Sequence, residues 1–216
     1  FLLTSEPYAI FMSECPYIDG VIIDKREPRW NLFFLYKLKK SLSKYNFSKV
    51  FDLQNSSRTN FYKKFLLKNS EWSSSNETLK PGQTKSEFDE YPVLDRMELQ
   101  LKKNSIPTKY IKNIDLSWAR EDPSALIQQY TNRDYILVFP FCSKKHLNKK
   151  WPYFKDLISR IRREYKNNYS ILVAPGPDEI EEAKGLNANI VMNNEQPINI
   201  KMLISLIYGS KFVISN

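Results

Sequence analysis

Tyr135-Ile136-Leu137-Val138-Phe139-Pro140-Phe141-Cys142-Ser143, continued by Lys144-Lys145-His146-Leu147-Asn148-Lys149-Lys150-Trp151-Pro152, is the stretch on which the reading of the chain turns. Its first five residues are all apolar or aromatic and describe a strand buried on both faces. Pro140 ends that strand, because proline has no N–H to give to a ladder. A cationic loop follows, and Pro152 suits the first turn of a helix whose apolar face is Phe154, Leu157, Ile158 and Ile161. Strand, loop and helix in this order are the first half of a βαβ unit.

The pattern repeats outward from there. Residues 171–174 read as the next strand, 177–186 as a helix and 190–191 as a short strand. Ile200, Leu203, Ile204 and Ile207 form a helical face, and 212–214 a last strand. Upstream, Val21-Ile22-Ile23 is a β-branched run. Leu32, Leu35, Leu38 and Leu42 recur at helical spacing after Pro28, 50–53 read as a buried strand, and 61–67 as a short helix. Residues 69–90 are poor in apolar side chains and read as a surface loop or a binding loop anchored by Trp72. Helical spacing resumes over 91–104 through Val93, Leu94, Met97 and Leu101, and 114–134 join the two halves. The alternation predicts an α/β protein with parallel sheets, divided at 1–125 and 126–216.

Composition narrows the function classes. Of 216 residues, 42% are hydrophobic and 26% charged, as in globular proteins. No apolar run approaches the ~20 residues of a membrane span. Cys15 and Cys142 stand far apart without a CxxC pair, which argues against a disulfide scaffold or a structural zinc site. The single histidine, His146, disfavours a His-based metal site or a Ser-His-Asp triad. The formal charge is +9, and residues 144–166 carry nine cations against Asp156 and Glu164, a net of +7. A cationic patch of this kind implies an anionic partner: phosphate, nucleic acid or an acidic membrane surface.

Three stretches are candidates for chemistry. After 135–139, the basic loop runs into a helix start, where free N–H groups favour phosphate. Ser143 offers a hydroxyl and Lys149 a mobile ammonium. The loop has no GxxxxGK[ST] signature, and without a ligand it reads as a solvated helix cap. After 171–174, Pro175-Gly176-Pro177-Asp178-Glu179 places acids at a helix start, either to suit its dipole or, at Glu179, to accept from a ribose. After 50–53, Asp52, Gln54, Asn55 and Arg58 form a polar cluster of sugar-binding types. A cap at Ser57 or Thr59 explains only part of it.

Together these stretches resemble glycosyltransferase family 9, the ADP-heptose:lipopolysaccharide heptosyltransferases. Cys15-Pro16-Tyr17-Ile18-Asp19-Gly20-Val21-Ile22 is similar to the family's "NPYIDEVI". Phe51-Asp52-Leu53-Gln54 with Arg58-Thr59 resembles "DLQ…RT", and Glu71-Trp72-Ser73 resembles "EWSG". Phe139-Pro140 through Lys149-Lys150-Trp151-Pro152 resembles "hPG.s…K.WP", and Pro175 to Glu179 resembles "GxPxE". Residues 203–216 resemble the family's closing helix and "A.l.IsnD" strand.

The resemblance implies a GT-B architecture, two Rossmann-like parallel-sheet domains facing a cleft. The first domain would take the acceptor and the second the nucleotide sugar. It implies an inverting, metal-independent transfer of a heptose-type sugar from ADP-heptose to a lipopolysaccharide core, with no cofactor, in the bacterial cytoplasm or at the inner face of the membrane. Cys142, Ser143, Lys149 and Glu179 would bind the donor. Asp52, Gln54, Asn55 and Arg58 would lie on the acceptor side. The family's first strand, whose loop carries the catalytic base, and its "D-[ST]-G-x-x-H" donor loop fall outside 1–216, so the chain reads as an internal fragment. Phe141 stands where the family has the Gly of "PG". Two alternatives stay open: a GT-B transferase of other sugar specificity, and a non-catalytic basic module binding nucleic acid or anionic surfaces. No nucleic-acid motif is present, so nucleic acid is not the expected partner. The helix from Lys155 to Lys166 is a candidate for contact with anionic lipid.

Overall fold

The computed structural model describes residues 1–165 and 168–216; Lys166 of the basic segment lies outside the described residues. Two compact units form, Phe1–Asp115 and Leu116–Asn216. Residues 116–125 therefore belong with the second unit. Ala119 is fully buried there, and the Glu121 amide donates to Ser205 Oγ at 2.8 Å.

In the first unit, β1 (Leu2–Ser5) leads through α1 (Glu6–Ser13) to β2 (Val21–Asp24), and β1 and β2 pair in parallel with Leu3 opposite Ile22. Then come α2 (Leu32–Ser43), β3 (Lys49–Phe51), α3 (Ser57–Phe65) and β4 (Glu71–Ser73), which is parallel to β3. The helices α4 (Ser75–Thr78), α5 (Lys85–Asp89) and α6 (Val93–Lys103) complete the unit. The strands make two separate two-stranded sheets, β1-β2 and β3-β4. A two-stranded sheet is marginal by itself, and the core that supports these is helical. Leu35, Leu38 and Leu42 of α2 meet Ile22, Tyr62 and Leu66. A cavity of about 470 Å³, lined by Leu2 and Leu3 of β1, Val50 and Phe51 of β3 and Trp72 of β4, lies among residues of both sheets.

Several local expectations are corrected. Asn31, not Pro28, starts α2: its side chain accepts from the Phe34 amide at 3.1 Å. Helix α3 begins four residues before Phe61, in a reciprocal cap between Ser56 and Thr59. Residues 69–90 are not one loop. Trp72 lies in β4 and donates from Nε1 to Leu67 O. Thr84 and Glu87 cap α5, whose Phe88 is buried. In α6, Val93 and Leu94 face solvent, and Gln100 is the buried residue.

The second unit has α7 (Ser124–Ile127), β5 (Tyr135–Phe139), α8 (Phe154–Glu164), β6 (Ser170–Val173), α9 (Ile180–Ala183), β7 (Asn189–Ile190), α10 (Ile200–Gly209) and β8 (Phe212–Ser215). They form one parallel sheet in the order β7-β6-β5-β8. Alternate residues of β5 serve opposite faces, as a pleated strand requires. Ile136 and Val138 pack with Phe154, Ile158, Ile171 and Val173. Tyr135 and Leu137 pack with Leu126, Leu172, Val191 and Leu206. Burying a side chain such as Leu137 or Ile171 is worth about 1.5–3 kcal/mol, so the continuous apolar run is the anchor of the unit. The chain winds from β5 to β6 and β7 on one side and returns to place β8 on the other. The winding direction reverses between β5 and β8, where open α/β sheets bind ligands at their carboxyl ends.

Candidate functional site

At the carboxyl end of β5, Pro140 and Phe141 leave the sheet, and residues 144–149 turn in a short 3₁₀ segment before α8. Phe141 packs on the core cluster beneath α8, so where a glycine was expected a large side chain anchors the loop. Ser143 Oγ accepts from the Lys145 amide at 3.4 Å, and the Cys142 thiol donates to His146 O at 3.3 Å. Both residues thus shape the turn. Helix α8 begins at Phe154, two residues beyond Pro152. Asn216, directly after β8, holds the loop at two points. Its Oδ1 accepts from the Trp151 amide and its Nδ2 donates to Phe141 O, both at 2.8 Å. In the sequence, Asn216 was marked only by its place in the strand-end resemblance of residues 203–216, which assigned its side chain no role.

The loop after β6 adjoins this one. Lys144 Nζ lies 3.1 Å from Asp178 Oδ2, and Lys150 pairs with Glu182. Lys149 and Glu179 therefore stand on neighbouring loops joined at flanking positions, at the same end of one sheet. Lys149 is exposed and makes no ion pair among the described residues. Glu179 is half-buried, and its Oε2 accepts from the Gly176 amide at 2.8 Å. A Cβ on Gly176 would stand 3.3 Å from that oxygen, so the small residue accommodates the turned-in carboxylate. The helix expected from Pro177 starts at Ile180, with Glu181 and Glu182 in its first turn. Asp178 and Glu179 precede it. The loop pair presents two exposed cations without an ion pair among the described residues, Lys145 and Lys149, beside a carboxylate with one oxygen already bonded. That arrangement suits an anion and a hydroxylated ring.

In the first unit, Asp52 Oδ1 accepts from the amides of Gln54 (3.1 Å) and Asn55 (2.8 Å), an Asx-type turn. Asn55 adopts φ +51°, which asparagine tolerates better than most residues, and its Oδ1 accepts from the Ser75 amide at 2.6 Å. Gln100 Nε2 donates to Asp52 O (3.1 Å) and Ser73 O (2.8 Å), closing the ends of β3 and β4. Gln54 is exposed and lines the 470 Å³ cavity with Asp52. A polar cavity of about 260 Å³ lies alongside, lined by Asp52, Asn55, Ser56, Asn60, Ser74 and Ser75.

Arg58 is engaged elsewhere. It donates to Arg26 O (3.1 Å), Glu27 O (3.0 Å) and the Tyr62 hydroxyl (2.9 Å). Tyr62 in turn donates to Asp24 Oδ2 at 2.8 Å. Burial pushes the Tyr62 hydroxyl above the usual tyrosine range; the Arg58 bond opposes that shift and the Asp24 bond adds to it. This buried Asp24–Tyr62–Arg58 chain escaped the sequence reading. Its only trace was Asp24 two residues after Ile22, on the inward face of β2. Among the described residues no group of three or more His, Cys, Asp or Glu could hold a metal ion.

No protein-family model matches the chain, and no curated protein does. Solved structures do. The chain is similar to the ADP-heptose lipopolysaccharide heptosyltransferase II of E. coli, at 14% identity and a TM-score of 0.64, over 99% of this chain and 68% of that one. It is similar to the E. coli heptosyltransferase WaaC with ADP, at 17% identity and 0.60, over 99% and 69%. It is also similar to a glycosyl transferase family 9 protein from Veillonella parvula, at 14% identity and 0.62, over 99% and 65%. The fold is thus that of the GT-B heptosyltransferases, over about two thirds of their length.

Proposed function

We propose that the protein is an inverting, metal-independent glycosyltransferase that moves a heptose-type sugar from a nucleoside diphosphate donor, ADP-heptose, to a lipopolysaccharide core acceptor. The observation that carries this reading is the pair of loops at the carboxyl end of the β5–β6–β8 sheet, in a fold shared with a heptosyltransferase solved with ADP. An acceptor hydroxyl attacks the anomeric carbon while a general base takes its proton, the bond from that carbon to the diphosphate oxygen breaks, and negative charge builds on the leaving phosphate. Lys149 and the amides of the 143–153 turn stabilise that charge. Glu179 accepts from the ribose with the carboxylate oxygen that Gly176 leaves free. Asp52, Gln54 and Asn55 face the acceptor, while Arg58 braces the β2–α2 loop behind them. The protein acts in the cytoplasm, at the inner face of the membrane where such an acceptor is assembled.

A thermal-shift comparison of ADP, UDP and GDP and their sugars tests the reading. Ligand at 100 times its Kd stabilises the folded state by about 2.7 kcal/mol, so ADP and ADP-sugars should raise the melting temperature where UDP and GDP do not. A uridine or guanosine preference would move the protein to a GT-B transferase of other donor specificity. Stabilisation by no nucleotide, with salt-sensitive binding to DNA, would replace the transferase reading with a nucleic-acid-binding one.

A further inference from the structure

Helix α2 buries one face and leaves an unusual one outside. Leu35, Leu38 and Leu42 point into the core at 8%, 4% and 2% exposure, whereas Trp30, Leu32, Phe33 and Tyr36 are 81%, 75%, 68% and 64% exposed. Single exposed apolar side chains are ordinary, but four large ones within seven residues form a patch that marks an interaction site. The charge beside them is of one sign. Residues 29–44 include Arg29, Lys37, Lys39, Lys40 and Lys44 and no acid. None of these four lysines makes an ion pair among the described residues, and Lys37 Nζ sits 4.2 Å above the Phe33 ring. Helical spacing sets each aromatic one turn ahead of a cation, Phe33 before Lys37 and Tyr36 before Lys40. The N-terminal end of the helix is therefore apolar and aromatic, and the C-terminal end cationic.

We propose that the outer face of α2, with Trp30, is a docking surface for an anionic phospholipid bilayer. Interfacial helices combine Lys on the polar side with Trp, Phe and Leu on the other, whereas protein–protein interfaces are depleted in Lys. Trp30, Leu32, Phe33 and Tyr36 enter the headgroup boundary. Lys37, Lys40 and Lys44 extend along their stems to the phosphates. The basic helix α8 carries no exposed large hydrophobic side chain of its own between Phe154 and Glu164, its exposed aromatics Tyr153 and Tyr165 standing at its two ends, and Arg160 is paired with Glu164. The inference stands on α2 alone and does not depend on the transferase reading.

Co-sedimentation of the full chain with vesicles tests it. One set contains equal phosphatidylglycerol and phosphatidylcholine, the other phosphatidylcholine only. The protein should bind the anionic vesicles and not the neutral ones. Phe33→Ser with Tyr36→Ser, and separately Lys37→Glu with Lys40→Glu, should each weaken binding at least tenfold at unchanged far-ultraviolet circular dichroism. Lys155→Glu with Arg163→Glu on α8 should change it less than twofold. Brominated lipid should quench the wild-type fluorescence, and Trp30→Phe should remove most of that quenching. Absence of anionic-vesicle binding, wild-type binding by both α2 variants, or loss of binding only in the α8 variant would overturn the proposal. So would self-association that the α2 variants abolish while vesicle binding persists, since a second copy would then cover the face.

Discussion

Tyr62 shows how much of the first unit rests on single side chains. Its hydroxyl stands between the buried carboxylate of Asp24 and the guanidinium of Arg58, and two segments distant in sequence, β2 and α3, meet there. Removing one partner of a buried hydrogen bond costs about 1–3 kcal/mol. Tyr62→Phe should therefore lower unfolding stability by that amount in a denaturant titration, without changing the far-ultraviolet spectrum. The raised Tyr62 hydroxyl favours the protonated form in the folded state. Its contribution is present below the ordinary tyrosine value and is lost as pH rises through the raised one. Arg58 was legible as part of a polar cluster, but its partners were not. Two of them, Arg26 O and Glu27 O, lie on the loop after β2, 32 and 31 positions upstream, where no local pattern announces them; the third, the Tyr62 hydroxyl, is one turn further along α3. The cap of α3, expected at Ser57 or Thr59, lies at Ser56 for a related reason. Thr59 fills the role that Glu or Gln usually has, so the reciprocal bond with Ser56 leaves a weak sequence trace.

Elements were readable where a full period of side chains was available. Strands β5 and β6 carry uninterrupted apolar runs and emerge within a residue of expectation. Strand β1 ends in Thr4-Ser5 and lacks such an uninterrupted run, and helices α4 and α5, four and five residues long, are too short for helical periodicity to show. Helix α4 is tied to α3 by Lys63 and Glu77, with Ser74 also donating to Glu77. Burial of Glu77 works against ionisation, but the bonds from Lys63, Ser74 and the backbone outweigh it and hold the carboxyl below the usual range. A lowered carboxyl stabilises the fold above its unfolded value, and that contribution fades as pH falls through the folded one. Unfolding midpoints measured from pH 7 to pH 3 should thus drop less steeply in Glu77→Gln than in the parent. Equal slopes would assign the acid sensitivity to other groups. The polar stretch 69–90 read as loop because its order comes from caps and one buried Phe88 rather than from apolar rhythm.

At the scale of the molecule, the second unit concentrates what the proposed transfer requires of a donor domain. One parallel sheet, a reversal of winding between β5 and β8, and two loops joined by Lys144–Asp178 and Lys150–Glu182 bring Lys149 and Glu179 to the same end. The sequence made the strand and the cationic loop legible. It could not reveal that Asn216 would fasten the loop across β8, because that contact spans 65 residues. Losing a charge-assisted contact to phosphate costs about 1.5–3 kcal/mol, which corresponds to roughly ten- to a hundredfold in affinity. The most direct measurement is a calorimetric titration of ADP into the wild-type protein and into Lys149→Ala. At least tenfold weaker binding by the variant, with its fold intact, is the expected result. Equal affinity in the two proteins would contradict the assignment of this loop to the diphosphate.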